Sequence, residues 1–192
     1  IKDGLHGNYV RLAHYPHNEI TTRMADEMGL LVWSEIPVYW SVDFANDKTL
    51  ALARGMIAEN ILRDRNRASV IVWSVGNETP ITDPRNHFLG QLADDAHALD
   101  PTRLVSAALL VDRKVVDGHI DLTVDDPLIS HLDLVAVNTY NGWYGEDVLA
   151  DVAKTQWHVP VTKPMIFSEF GADALAGFHD PTTTAKFSEE YQ

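Results

Sequence analysis

Four apolar runs in this chain end on a carboxylate or an amide, and that shared ending limits what the chain can fold into. The run LLVWSE closes on Glu35, VIVWSVGNE on Asn77 and Glu78, LVAVNTY on Asn138 and Tyr140, and MIFSE on Glu169. Strands so rich in β-branched and aromatic residues read as buried on both faces, as they are when helices cover both sides of a parallel sheet. Polar residues at their carboxyl ends then fall on the edge where parallel α/β folds place their chemistry.

The segments between these runs have helical periodicity. Residues 8–12 predict a short strand, followed by a helix capped by Asn18 with Ile20, Met24 and Met28 on one face and Gly29 to stop it. Residues 30–33 form the next strand. Asp47 is placed to cap a long helix with the stripe Leu50, Ala53, Ile57 and Ile61, and the strand from Val70 follows. Asp83-Pro84 opens another helix, with Phe88, Leu92, Ala96 and Leu99 facing inward until Asp100-Pro101 ends it. Further strands are expected over 104–110, 134–137 and 164–167, and a weaker helix over 146–157.

Strand followed by helix with short connections predicts a parallel sheet. In an eight-stranded barrel the strand ends converge on one mouth, so polar residues distant in sequence would meet there. A doubly wound open sheet competes, but it usually carries a glycine-rich phosphate turn, and neither GxGxxG nor GxxxxGK[ST] occurs here.

Fifteen Lys and Arg against 28 Asp and Glu leave a net charge of −13. That balance argues against nucleic acid or an anionic membrane as the main partner, because both demand a concentrated positive patch. The densest basic group, Arg63, Arg65 and Arg67, alternates with Asp64 and Asn66 and reads as a solvated helix end. The absence of cysteine excludes disulfides and thiolate metal sites. No apolar run reaches the roughly 18 residues of a membrane span. The chain opens on Ile1 rather than methionine, so a cytoplasmic, periplasmic or secreted location all stay open.

Two glutamates at strand ends suggest glycosidic bond hydrolysis. One carboxyl protonates the leaving oxygen, and the other attacks the anomeric carbon or activates water. Other candidates are weaker. His14 and His17 lie three apart, but HYPH contains a proline at a strand-to-helix loop, so no metal site is expected. Ser34, Ser74 and Ser168 lack the G-x-S-x-G elbow of a serine hydrolase. Trp33 and Trp73, inside strands, are expected in the core, whereas Trp143 beside Gly142 is expected in a sugar pocket.

WSVGNE at 73–78 and FSEFG at 167–171 resemble the acid/base and nucleophile motifs of glycoside hydrolase family 2. VRLAHYP at 10–16 and NTYNGWY at 138–144 resemble its strand-2 and strand-6 motifs, and AGFHDP with the terminal FSEEYQ resembles its β-glucuronidase branch. The likeness covers nearly the whole chain. It implies an α/β fold, the TIM (β/α)8 barrel, with residues 1–192 an incomplete segment of it covering about strands 2 to 7. Upstream β-sandwich domains and the last strand are then expected outside the segment, as in an excerpt of a longer enzyme.

The resemblance also implies roles. Glu169 becomes the nucleophile and Glu78 the general acid/base of a retaining double displacement, with the pair on the order of 5 Å apart. Asn77 is expected to hydrogen-bond the sugar 2-hydroxyl and Tyr140 the nucleophile, while His14, Trp143, Asn138 and Glu35 join the sugar site. For Glu35 a buried ion pair is an equal reading. No cofactor is expected. The implied partner is a small-molecule or oligosaccharide β-glycoside, with a homo-oligomer of the full-length protein left open. The best substrate guess is a β-D-glucuronide. Asn141, where the branch commonly has an aromatic, keeps a β-galactosidase alive, and a non-catalytic carbohydrate-binding barrel is the reading from another class.

Overall fold

The computed structural model describes residues 1–144 and 149–192. Its elements in chain order are α1 (Lys2–Leu5), β1 (Tyr9–Leu12), α2 (Glu19–Met28), β2 (Leu31–Glu35), α3 (Asp47–Asp64), β3 (Val70–Asn77), α4 (Asp83–Leu99) and β4 (Leu104–Leu109). These are followed by β5 (Asp112–Val116), β6 (His119–Thr123), a 3-10 turn (Pro127–His131), β7 (Val135–Asn138), α5 (Leu149–Val152), β8 (Gln156–His158) and β9 (Met165–Glu169).

Six strands form one sheet in the order β1-β2-β3-β4-β7-β9. The β1–β2, β2–β3 and β3–β4 pairs are parallel. Each new strand adds on the same side, so the order never reverses. A doubly wound sheet reverses at its switch point, and a barrel does not.

The chain divides into two compact units. One comprises Ile1–Leu110, Asp126–Ala136 and Lys163–Ile166; the other comprises Val111–Asp125, Val137–Thr162 and Phe167–Gln192. In the first, Trp33, Val72, Leu134 and Ala136 make a buried cluster against which Tyr9, Ile71 and Ile166 pack. Both expected core tryptophans, Trp33 and Trp73, are fully buried. The indole N–H of Trp73 is satisfied by Asp100 Oδ2 at 3.1 Å. Helix α3 buries Ala53, Ile57 and Ile61, and α4 buries Phe88, Leu92 and Ala96. Each buried Ile, Leu or Phe among these stabilises the fold by about 1.5–3 kcal/mol.

Several local expectations are corrected. Helix α3 is capped by Asn46, whose side chain accepts from the Lys48 amide, and α4 by Thr82, which accepts from the Arg85 amide; Asp47 and Asp83 are the first helical residues. Both are one step inside, where a carboxylate still favours the positive end of the helix dipole. On α2 the stripe Ile20, Met24 and Met28 is exposed, and Thr22 and Ala25 face inward. Thr22 can be buried because its hydroxyl donates to Glu19 O at 3.0 Å.

The second unit departs further. Strands β5 and β6 form an antiparallel hairpin, with β8 parallel beside β6. The hairpin turns at Asp117 and Gly118, both with positive φ, 49° and 81°, as a two-residue primed turn requires. Of the helix expected over 146–157, residues 146–148 lie outside the described residues; of the rest, Leu149–Val152 is helical and Gln156–His158 is a strand.

Candidate active site

The expected site residues lie in both units. In the first, a charged network forms where β1, β2 and β3 end. Arg11 donates from Nε to Glu35 Oε2 at 2.9 Å, and from Nη2 to Glu35 Oε1 at 3.1 Å and to Asn77 Oδ1 at 2.7 Å. Trp33 Nε1 adds a bond to Glu35 Oε2 at 2.7 Å, and His14 Nδ1 lies 2.8 Å from Oε1. The Glu35 side chain is only 2% exposed. Its carboxylate is therefore met on both oxygens by charge-assisted or N–H donors, which is what makes such burial tolerable.

This chain of contacts has a direction. Arginine can only donate, so the Asn77 oxygen must face Arg11, which fixes the amide's orientation. Glu35 thus holds Arg11, and Arg11 orients Asn77. Tyr9 lies against the same network. Burial pushes its phenol up to about 12, with the Glu35 charge acting in the same sense and Arg11 opposing.

Glu78 is the first residue past β3, and its φ is +49°. Left-handed backbone is uncommon for a residue with a Cβ, and it turns the chain sharply off the strand. The Glu78 amide donates to Ala108 O at 2.9 Å, and its Oε2 accepts from Trp40 Nε1 at 3.1 Å. Behind it, buried Thr79 accepts from Arg85 Nε at 2.7 Å, and Arg85 grips Asp126 with two bonds of 2.7 and 2.8 Å.

In the second unit, Glu169 ends β9. Tyr140 Oη donates to Glu169 Oε2 at 2.5 Å. The Thr139 amide donates to Glu169 O at 2.9 Å, and Ser168 Oγ to Asn138 Oδ1 at 2.8 Å. Tyr140, Trp143, Tyr144 and Phe170 line a concavity of about 260 Å³, which Gly171, Ala172 and Asp173 complete. Trp143 is held there edge-on to Phe187, with ring centroids 4.8 Å apart, and by Lys186, whose ammonium sits 5.7 Å from its ring centre and bonds its carbonyl.

The expected residues therefore fall into two sets. His14, Glu35 and Asn77 form one network, with Glu78 next to Asn77. Asn138, Tyr140, Trp143 and Glu169 gather in the other unit. Arg11, Trp40 and the Arg85–Asp126 pair were not singled out from sequence. Arg11 had a signal, since it is the one charge within the strand motif VRLAHYP. Among the described residues no group of three or more His, Asp or Glu could hold a metal ion, and His17 Nε2 instead meets Ala13 O at 3.0 Å. No helix among them is long and apolar enough to cross a membrane.

The family model described as glycosyl hydrolases family 2, TIM barrel domain, matches residues 3–192. A β-glucuronidase of Paenibacillus borealis is 32% identical over 208 residues, which cover 98% of this chain and 33% of the relative. Among solved structures, a β-D-glucuronidase of Dictyoglomus thermophilum superposes with a TM-score of 0.77 at 29% identity, covering 96% of this chain and 33% of that one. A β-galacturonidase of Eisenbergiella tayi, solved with galacturonate bound, gives 0.78 at 25%, with the same coverage of both chains. The chain spans about a third of the length of these relatives. A match running from residue 3 to the last residue, on a sheet whose order never reverses, makes this chain a member of glycoside hydrolase family 2, within its TIM-barrel domain.

Proposed function

We propose that the full-length protein carrying this chain is a retaining glycoside hydrolase that removes terminal β-D-glucuronosyl groups, and that residues 1–192 are part of one (β/α)8 catalytic barrel. In the first step the Glu169 carboxylate forms a bond to the anomeric carbon as the bond to the aglycone oxygen breaks. Glu78 gives its proton to that oxygen. In the second step Glu78 takes a proton from water, the water oxygen bonds to the anomeric carbon, and Glu169 leaves as the carboxylate. Asn77, oriented by Arg11, serves the sugar 2-hydroxyl, and His14 and Trp143 line the sugar site.

The observation that carries the reading is the pairing of each strand-end glutamate with its own aromatic donor: Trp40 with Glu78, and Tyr140 with Glu169. A fixed donor holds each carboxylate in one orientation, as a nucleophile and a proton-transferring group must be held. A uronide is favoured over a neutral sugar because the named relatives are β-glucuronidases and a β-galacturonidase. The galacturonide is the second reading.

The test is hydrolysis of 4-nitrophenyl β-D-glucuronide, β-D-galacturonide and β-D-galactoside by the full-length protein, with Glu169→Gln and Glu78→Ala beside it. The expected result is an inactive Glu169→Gln, and a Glu78→Ala that azide rescues as the β-glycosyl azide. The faster sugar names the substrate. Wild-type rates in both variants would move the catalytic roles to other residues, and sugar binding without cleavage would replace this reading with a carbohydrate-binding barrel.

A further inference from the structure

The loop after β2 carries two aromatic side chains that the mechanism leaves without a role at the sugar. Trp40 is 63% exposed and Tyr39 39% exposed. Their rings meet at 87° with centroids 5.5 Å apart, and the Tyr39 ring lies 5.6 Å from that of His14. Large aromatics are rarely left open to water in such a group without something to cover them.

The backbone holds this corner in place. Tyr39 forms a parallel bridge with Asn77, the Trp40 amide donates to Asn77 O at 2.9 Å, and the Asn77 amide donates to Val38 O at 2.8 Å. Trp40 itself has a φ of +54°, a conformation a bulky residue adopts only where its surroundings enforce it. Its indole N–H reaches Glu78 Oε2 at 3.1 Å. The ring is thus pinned at its N–H edge to the carboxylate while most of the side chain stays open to solvent.

We propose that Trp40 and Tyr39 form a platform for the leaving group that selects aromatic aglycones. The inference rests on Glu78 being the acid/base. The atom that receives its proton is the glycosidic oxygen, so the aglycone must lie against the groups that flank Glu78. Two aromatic faces set nearly at right angles suit a planar ring, which stacks on one and meets the other edge-on. A small alkyl aglycone has no such face to offer.

The experiment measures kcat/KM of the full-length protein on phenyl and methyl β-D-glucuronide, and binding of phenyl and methyl 1-thio-β-D-glucuronide by calorimetry. Wild type, Trp40→Ala and Trp40→Phe are compared. Both variants lose the N–H to Glu78 and its effect on either leaving group, so the readout is the phenyl-to-methyl ratio of Trp40→Ala set against that of Trp40→Phe. We expect that ratio to fall about tenfold in Trp40→Ala, the scale of one aromatic pair, and to be largely kept in Trp40→Phe, which retains a ring. An unchanged ratio in Trp40→Ala, or no preference of the wild type for the phenyl thioglycoside, overturns the platform. Absence of turnover together with aryl-selective binding that Trp40→Ala abolishes overturns the hydrolase reading and leaves the platform standing. Absence of both turnover and binding overturns both.

Discussion

Tyr140 Oη donates a hydrogen bond to Glu169 Oε2 at 2.5 Å, joining the loop after β7 to the end of β9 within one unit. If Glu169 is the nucleophile, this bond fixes the carboxylate's orientation before attack and follows its charge as the glycosyl bond forms and breaks. Tyr140→Phe removes the donor and little else. It is expected to lower kcat on an aryl β-glucuronide about 100-fold, the scale of removing one preorganised donor from a reacting charge. Steady-state kinetics together with the thermal midpoint decide the matter: a midpoint shift with unchanged kcat would make the tyrosine structural.

Glu35 is expected to matter first for folding. Its carboxylate is the counter-charge of Arg11, and the two side chains are 2% and 7% exposed. Glu35→Ala would remove the carboxylate that accepts two bonds from the buried Arg11 guanidinium. Removing one partner of a buried pair costs about 3–5 kcal/mol. Urea unfolding should register that loss. Activity should fall with it, because Asn77 loses its brace. Full stability in Glu35→Ala would show that the network is not held by charge.

How much of this could be read from sequence depends on what each residue's signal was. The parallel strands were legible because runs such as VIVWSVGN are apolar on both faces and end in polar residues, a pattern only a covered sheet satisfies. The capping residues were missed by one position because Asn46 and Asp47, or Thr82 and Asp83, are all good caps. The β5–β6 hairpin carries a turn signal in VVDGHI, but β5 is exposed throughout and so lacks the apolar alternation that marks a half-buried strand. The exposed stripe of α2 follows from periodicity too: Ile20, Met24 and Met28 do share a face, but periodicity does not say which face is covered. Trp40 and Arg85 could not be found at all without the fold, since their partners lie 38 and 41 residues away.

Acid stability should depend on Asp100. Burial alone would raise its carboxyl, but hydrogen bonds from the Thr102 hydroxyl, Trp73 Nε1, the Thr102 amide and Arg103 outweigh that and hold it below its ordinary value of 3.8. A carboxylate whose folded value is depressed contributes stability that is present above about pH 4 and lost as pH falls through the folded value. Asp100→Asn should therefore cost about 2 kcal/mol at pH 7, with the gap to wild type shrinking below pH 4. Denaturant unfolding at pH 7 and pH 3 tests this, and a gap independent of pH would assign the effect to packing.

The Arg85–Asp126 pair offers a sharper contrast between removing a charge and removing a pair. Both side chains are essentially buried, at 0% and 1% exposure. Asp126 also caps the 3-10 turn, accepting from the Leu128 amide at 2.9 Å, while Arg85 reaches Thr79, next to Glu78. Asp126→Ala strands the guanidinium and should cost about 3–5 kcal/mol, whereas Arg85→Met with Asp126→Leu exchanges the pair for apolar packing and should recover most of that loss. Recovery of stability need not bring recovery of activity. The Arg85 Nε bond to Thr79 steadies the backbone just past the left-handed Glu78, and methionine cannot donate it. The double variant is thus expected to unfold near the wild-type denaturant midpoint yet keep a kcat depressed about tenfold, the scale of one lost hydrogen bond. Equal recovery of both quantities would reduce the pair to a structural clamp with no bearing on Glu78.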